Sequence, residues 1–181
     1  DLKPDNFVLV AETQENDRSS RKSTSYGLTL VDFGRALDLT ALSNQSSGKD
    51  IISFTGKPTN PEMECVSMRI ARPWDYDADY FGILASVHVL LYGTHLEIQQ
   101  TQNGCWRAKT KLKRYWRHDL WNNVFTVLLN SPTGYYHKPD IHNLQKEVDA
   151  FLGGEEKSVC ELLDRQTSLL PNCRDKISPL G

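Results

Sequence analysis

Four residues near the start of the chain combine both signs of charge with a neutral oxygen donor. They are Asp1, Lys3, Asn6 and Asp32, the last followed by Phe33 and Gly34. Carboxylate and carboxamide oxygens are the hard ligands that magnesium takes, with waters or substrate phosphates completing its shell. A lysine ammonium beside such a pair is a point charge suited to phosphate oxygens. Phosphoryl transfer asks little covalent chemistry of a protein; it asks for positioning and for neutralisation of charge. This set of side chains can supply both. Gly34 lets the backbone turn sharply beside the metal position, and Phe33 is expected to pack inward.

In their order and context, Asp1-Leu2-Lys3-Pro4-Asp5-Asn6 and Val31-Asp32-Phe33-Gly34 resemble the catalytic loop and the metal-binding turn of a protein kinase. The resemblance implies that Asp1 orients a substrate hydroxyl and accepts its proton, and that Lys3 reaches the transferring phosphoryl oxygens. It further implies that Asn6 and Asp32 hold magnesium and that ATP binds against Asn6, Asp32 and Gly34. Lys3-Pro4 resembles serine/threonine kinases rather than tyrosine kinases. An Asx-rich turn followed by an ordinary D-x-G loop would also spell these letters. Two runs of strand length, Phe7–Val10 and Leu28–Val31, join the motifs and weigh against that alternative. With Asp1 as the catalytic aspartate, the Gly-rich loop, the strand lysine and its paired glutamate are expected to be missing. The chain therefore reads as a kinase C-terminal lobe with the N-lobe absent, and alone it is expected to be inactive.

The elements that must position these residues are legible to different degrees. Ala11–Gly27 is a polar stretch of seventeen residues between the two strand runs and reads as a mobile inserted loop. Arg35–Ser67 is rich in Ser, Thr, Gly and Pro, has little periodicity, and reads as loop, the activation segment of a kinase. Asp79–Tyr92 is expected to be a helix, with Asp77 or Asp79 at its amino end, Gly93 at its close and apolar residues all round, hence buried at the centre. Asn103-Gly104 marks a hairpin between Leu96–Gln102 and Cys105–Lys111. Helical spacing returns over Asp119–Asn130, then over Ile141–Leu152 and Ser158–Leu169, which Gly153-Gly154 should separate. The fold class expected is α+β and mainly helical, with short β hairpins and a central buried helix. One kinase-lobe domain is expected over 1–181, with 1–34 as catalytic loop and metal turn, 35–68 as activation segment and 69–181 as helical subdomain.

Composition narrows the rest. A net charge of −2 gives no global basic field for nucleic acid, and 39% hydrophobic residues with four tryptophans suit a globular chain. The longest apolar stretch, Tyr80–Tyr92, is too short and mixed to span a bilayer, so no membrane role is expected. Cys65, Cys105, Cys160 and Cys173 are scattered without a C-x-x-C pair, which favours a reducing compartment. His137 and His142 are five apart and lack partners for a metal site; His88, inside the apolar helix, reads as a core residue. Arg107, Lys109, Lys111, Lys113, Arg114 and Arg117 lie among Trp106, Tyr115 and Trp116. Three readings stay open for that segment: a solvated face, an acidic or phosphorylated protein partner and, least favoured, nucleic acid.

Several blocks together resemble the Bub-type mitotic checkpoint kinases: the opening Asp1–Leu9 with its long insert, Phe54-Thr55-Gly56-Lys57, and Cys65-Val66-Ser67-Met68. Pro73-Trp74-Asp75-Tyr76, Asp79-Tyr80-Phe81-Gly82, Leu91-Tyr92-Gly93-Thr94, Leu120-Trp121-Asn122 and Leu128-Leu129-Asn130 extend the likeness. It covers most of Asp1–Asn130. The likeness implies ATP-dependent phosphorylation of serine or threonine in protein substrates, a histone tail or other chromatin protein among them. It also implies checkpoint and kinetochore protein partners and a place in the nucleus, on chromosomes at the kinetochore. A sister branch of that family works as an inactive pseudokinase scaffold, which stands as the alternative. Asp79 would be a buried aspartate bonded to the catalytic-loop backbone. Ser67 stands where a kinase places the glutamate of a buried ion pair, and Asn60 or Thr59 where a threonine meets the catalytic aspartate and lysine. Without that anchor, the activation segment is expected to be ordered by packing of Phe54, Met63 and Met68.

Overall fold

Phe7–Val10 and Leu28–Leu30 are dominated by β-branched and large apolar side chains, which fit a pleated backbone. The computed structural model describes residues 2–14, 23–39, 41–42, 52–131 and 139–169. In it, strand β1 (Phe7–Gln14) pairs antiparallel with β2 (Ser23–Leu30), from Phe7 opposite Leu30 at the base to Gln14 opposite Ser23. The hairpin is longer than the sequence suggested. Ala11–Gln14 and Ser23–Gly27, read as loop, continue the ladder; the rest of the insertion lies outside the described residues. Glu12, Gln14 and Ser25 hid the extension, because a ladder begun at an apolar base needs only backbone N–H and C=O groups to go on.

Helix α1 (Val66–Arg69) is a single turn, and α2 (Asp77–Tyr92) follows it. Gly93 closes α2 in the left-handed region at φ 71°, where a glycine meets no Cβ penalty, and its N–H donates to the Val89 carbonyl. Phe81, Leu84, Ser86 and His88 are buried on α2, with Leu84 and His88 inaccessible to solvent. The helix is central, yet not covered all round as its composition suggested. Ile83 and Leu90, seven residues apart on one stripe, are 38% and 78% exposed. His88 is a core residue, as expected: its Nδ1 lies 2.8 Å from the Thr94 carbonyl oxygen and its ring stacks on Tyr92 with centroids 4.5 Å apart. Its Nε2 is buried without a hydrogen-bond partner among the described residues.

A short sheet joins β3 (Ile98–Gln100) to β4 (Trp106–Ala108), and Gly104 takes φ 84° in the turn between them. The cationic stretch is strand only as far as Ala108. Helix α3 (His118–Leu129) buries Leu120, Val124, Phe125, Leu128 and Leu129 on one face, which packs against α2. Asn130, its C-cap, holds the sheet. Its Oδ1 accepts from the Trp106 N–H at 2.6 Å and its Nδ2 donates to the Trp106 carbonyl at 2.9 Å.

Residues 1–144 form one compact unit and 145–181 a second. Helix α4 (Ile141–Leu169) begins in the first, where Leu144 is buried, and supplies the described part of the second. The expected break at Gly153-Gly154 is absent; α4 runs through both glycines. Each glycine costs a helix about 1 kcal/mol, which the propensity of the flanking Glu, Leu, Lys and Ala residues can offset. Among the described residues no helix is long and apolar enough to cross a membrane.

The two stripes of α2 should respond differently to truncation. Leu84→Ala is expected to cost about 2–5 kcal/mol by opening a cavity, and Leu90→Ala about 0.5 kcal/mol or less. Chemical denaturation midpoints check this; equal costs would show that α2 is covered on both stripes.

Candidate functional site

The hairpin acts as a ruler for the candidate chemistry. Asn6 precedes Phe7, Val31 follows Leu30, and those strand residues face each other. The ladder therefore extends one step beyond the strands, with the Val31 N–H donating to the Asn6 carbonyl at 2.8 Å. Asp32 comes next. Asn6 and Asp32, far apart in sequence, are held at neighbouring places by backbone hydrogen bonds whatever the length of the insertion.

Asn6 ends a 3-10 turn (Pro4–Asn6) and is 4% exposed. Its N–H donates to the Lys3 carbonyl at 3.0 Å, so Lys3 is fixed to the same turn. Pro4 pre-sets the φ of the first position and has no N–H to leave unpaired. Asp32 adopts φ 62°. For a non-glycine residue that conformation costs on the order of 1–3 kcal/mol, and it collects at sites where a side chain must be aimed. The sequence reading placed the sharp turn on Gly34, but the left-handed residue is Asp32. Gly34 leaves room for that side chain: a Cβ there would sit tightly, 3.3 Å from Asp32 Oδ1, which accepts from the Gly34 N–H at 3.4 Å. Phe33 is 63% exposed and lines the cleft instead of packing inward, since no described element covers it. Asp1 lies outside the described residues.

Leu2, Lys3 and Asp32 form one wall of a broad cleft, with Lys57 and Asn60 from the segment expected to be the activation loop and Asp79 from α2 among the other lining residues. What lets the first turn of the chain approach α2 is Gly82. A Cβ at that position would lie 2.8 Å from both the Cβ and the carbonyl oxygen of Leu2. In the sequence this glycine stood only as the last letter of the Asp79-Tyr80-Phe81-Gly82 block, with no role of its own. Its signal was its place in a helix interior, where glycine is normally costly.

The aspartate of α2 with structural work is Asp77, not Asp79. Asp77 is buried; its Oδ1 accepts from the Asp75 N–H at 2.8 Å and its Oδ2 from the Cys65 thiol at 3.2 Å. Asp79, expected to be buried against the catalytic-loop backbone, is exposed along the cleft. Partial desolvation, and then the charge of Asp77, raise its carboxyl above the ordinary carboxylate value. A helix turn separates faces by position, and Asp77 takes the one turned to Cys65. Burial pushes the Cys65 thiol up to about 12, with the charge and hydrogen bond of Asp77 acting in the same direction.

At the end of the segment between metal turn and α1, where a kinase glutamate would make an ion pair, Ser67 is buried and its carbonyl accepts from the Arg72 N–H at 2.9 Å. Order comes from Phe54 and Trp74, which exchange two backbone hydrogen bonds at 2.8 and 2.9 Å and bring their rings to 5.2 Å. The Trp74 indole also donates to the Gly56 carbonyl at 3.2 Å. Met68 is buried and Met63 half-buried, so apolar contacts do hold the segment, with Trp74 as the partner the sequence did not identify. Asn60 caps the 3-10 turn Pro61–Met63, its Oδ1 accepting from the Glu62 N–H at 3.0 Å and its Nδ2 donating to Glu62 Oε2 at 3.3 Å. Lys57 pairs with Glu64 at 3.3 Å. Among the described residues no group of three or more His, Cys, Asp or Glu converges as a metal cage. His137 lies outside them.

Comparison with known proteins adds relatives to this geometry. No family model matches. The chain is 33% identical over 138 residues to the spindle assembly checkpoint serine/threonine-protein kinase BUB1 of Saccharomyces cerevisiae, covering 72% of this chain and 13% of that protein. It is 31% identical over 179 residues to the mitotic checkpoint serine/threonine-protein kinase BUB1 of Arabidopsis thaliana, covering 92% and 33%. The chain thus spans a third or less of these curated relatives. A crystal structure of the BubR1 kinase domain superposes with a TM-score of 0.72 and 30% identity, over 91% of this chain and 46% of that one.

Two outcomes test this geometry. Gly82→Ala would stabilise an ordinary helix interior by about 1 kcal/mol, whereas forcing Leu2 away should cost about 1–3 kcal/mol. A raised melting temperature would show that the close approach is absent. Cys65 should resist iodoacetamide at pH 8 in the folded protein while the exposed Cys105 reacts, because only the thiolate attacks. Mass spectrometry of the labelled peptides reads this, and equal labelling of the two would contradict the buried Cys65–Asp77 pair.

Proposed function

The chain belongs to the Bub family of mitotic checkpoint protein kinases, and we propose that it forms the catalytic face of the C-terminal lobe of such a kinase. In this reading residues 1–34 are the catalytic loop and metal turn, 35–68 the activation segment and 69–181 the helical subdomain. The activity is transfer of the ATP γ-phosphoryl group to serine or threonine of a protein substrate within the spindle checkpoint. The observation that carries it is the register that sets Asn6 beside Val31-Asp32, with Lys3 on the same turn.

The donor set fits magnesium: a carboxamide and a carboxylate oxygen, both hard, on backbone fixed by hydrogen bonds. Asn6 and Asp32 would hold the ion, which when bound supplies charge neutralisation at the nucleotide phosphates. The left-handed backbone at Asp32 sets the direction of its side chain before any ligand arrives, which lessens the reorganisation left for the reaction. Lys3 offers a positive charge to the phosphoryl oxygens and Asp1 accepts the proton of the substrate hydroxyl. Gly82 keeps that turn pressed to α2, and the Phe54–Trp74 bridge keeps the substrate-side segment in place. Substrates of chromatin, histone tails included, and a site of action at kinetochores in the nucleus follow from the family rather than from the geometry.

Asp32→Asn in the full-length protein should lower phosphotransfer by about 10²-fold or more, since a charged contributor to transition-state stabilisation is removed. Radiolabelled phosphate incorporation into a protein substrate measures it. Undiminished transfer would overturn the kinase assignment. A wild-type protein that transfers nothing yet still binds checkpoint partners would support the scaffold reading instead.

A further inference from the structure

Charge is sharply segregated on this chain. Arg107–Arg117 carries six of the 21 lysines and arginines and no Asp or Glu, although the chain as a whole stands at −2. Part of this charge is matched locally. Lys109 Nζ lies 2.8 Å from Glu97 Oε2. Arg117 pairs with Asp119 at two points, 3.0 and 2.6 Å, and holds that carboxyl well below the usual carboxylate range. The Gln99 carboxamide oxygen, turned to Arg107, accepts from its guanidinium at 3.2 Å. Lys111, Lys113 and Arg114 are exposed and have no carboxylate partner among the described residues.

The backbone beneath these three cations is fixed. The Trp116 N–H donates to the Lys113 carbonyl at 2.9 Å, and His118 Nε2 lies 3.0 Å from the same oxygen. Trp116 meets Tyr92 edge-on at 5.0 Å, and Tyr92 stacks on the buried His88, which ties the turn to α2. Lys113 Nζ sits 5.3 Å from the Trp116 ring centre. Tyr115 packs edge-on against Trp116 at 6.1 Å yet is 77% exposed. Hydration alone accounts for unpaired lysines. It does not account for a tyrosine held out among them by ring contacts, a side chain that brings large contact area at low entropy cost.

We propose that residues 111–116 form a docking surface for an acidic segment of a partner protein. Its carboxylates meet Lys111, Lys113 and Arg114, and an apolar or aromatic side chain covers Tyr115. Arginine and tyrosine dominate protein-binding hot spots, and a turn already ordered loses little entropy on binding. A nucleic-acid strand fits less well. It needs a basic track several nucleotides long, whereas these cations fall within four residues on a chain whose acidic groups elsewhere outnumber its basic ones.

The test is fluorescence anisotropy with the full-length protein and a short labelled peptide of Asp and Glu around a central Phe. Wild type should bind with an affinity that falls as salt rises. Lys111→Glu with Arg114→Glu should weaken binding about tenfold or more, because like charges then face each other. The milder pair Lys111→Ala with Arg114→Ala should lose less, and Tyr115→Ala should lose several-fold with an unchanged salt dependence. All these side chains are exposed, so circular dichroism should be unaltered. Three results would overturn the proposal: binding no tighter than to a neutral peptide, equal binding by the charge-reversed variant, or tighter binding of single-stranded RNA that the same variants abolish.

Discussion

One backbone hydrogen bond, from the Val31 N–H to the Asn6 carbonyl, carries the hairpin ladder past its last strand pair and into the candidate site. The other site contacts depend on it. It sets the 3-10 turn that carries Lys3 beside the turn that carries Asp32, and so turns two remote sequence motifs into one constellation. A register slip of one residue would turn every side chain of a strand to the opposite face. Phe7 and Leu30, the half-buried pair that face each other at the base of the hairpin, resist that slip, and the length of the insertion at its far end then matters little.

The second constraint is the surface of α2. The helix presents a glycine where the first turn of the chain must come close, a buried aspartate where the backbone before it must be held, and leucine and phenylalanine towards the core. Each position answers one neighbour: Gly82 answers Leu2, Asp77 answers Asp75 and Cys65, and Leu84 and Phe81 fill the interior. Asp79, two residues further on, is left to the cleft. Its raised carboxyl favours the protonated form in the folded state. Linkage then makes its contribution to stability fall as pH rises from the ordinary carboxylate value through the raised one.

Among the described residues, the segment leading into α1 has Ser67 where a kinase places the glutamate of a buried ion pair. Ion pairs of that type bear a desolvation cost that well-packed apolar groups avoid. Here a two-residue β-bridge, a pair of aromatic rings and one indole hydrogen bond do the holding at Phe54, Gly56 and Trp74. Such an anchor is insensitive to pH and salt, and nothing in it calls for a phosphate.

The amino-acid sequence by itself determined the family likeness, most of the elements and the choice of candidate site residues, because these rest on local patterns. Asp, Lys and Asn at short spacing, an apolar run at helical period, Gly93 after α2 and Asn-Gly in a turn all act within a few residues of themselves. The tertiary structure decided the rest. That Asp77 and not Asp79 is buried depends on where Cys65 comes to lie, and that Gly82 is required depends on Leu2, eighty residues away. The partner of Phe54 is Trp74, and the two atoms that hold Trp106 belong to Asn130; neither pairing leaves a mark in local composition. The long β1–β2 ladder and the unbroken α4 went unread for a related reason: backbone hydrogen bonding propagates through polar residues and glycines that carry no apolar signal. Sequence patterns report what a side chain prefers, while close approach and burial are properties of pairs that only the fold brings together.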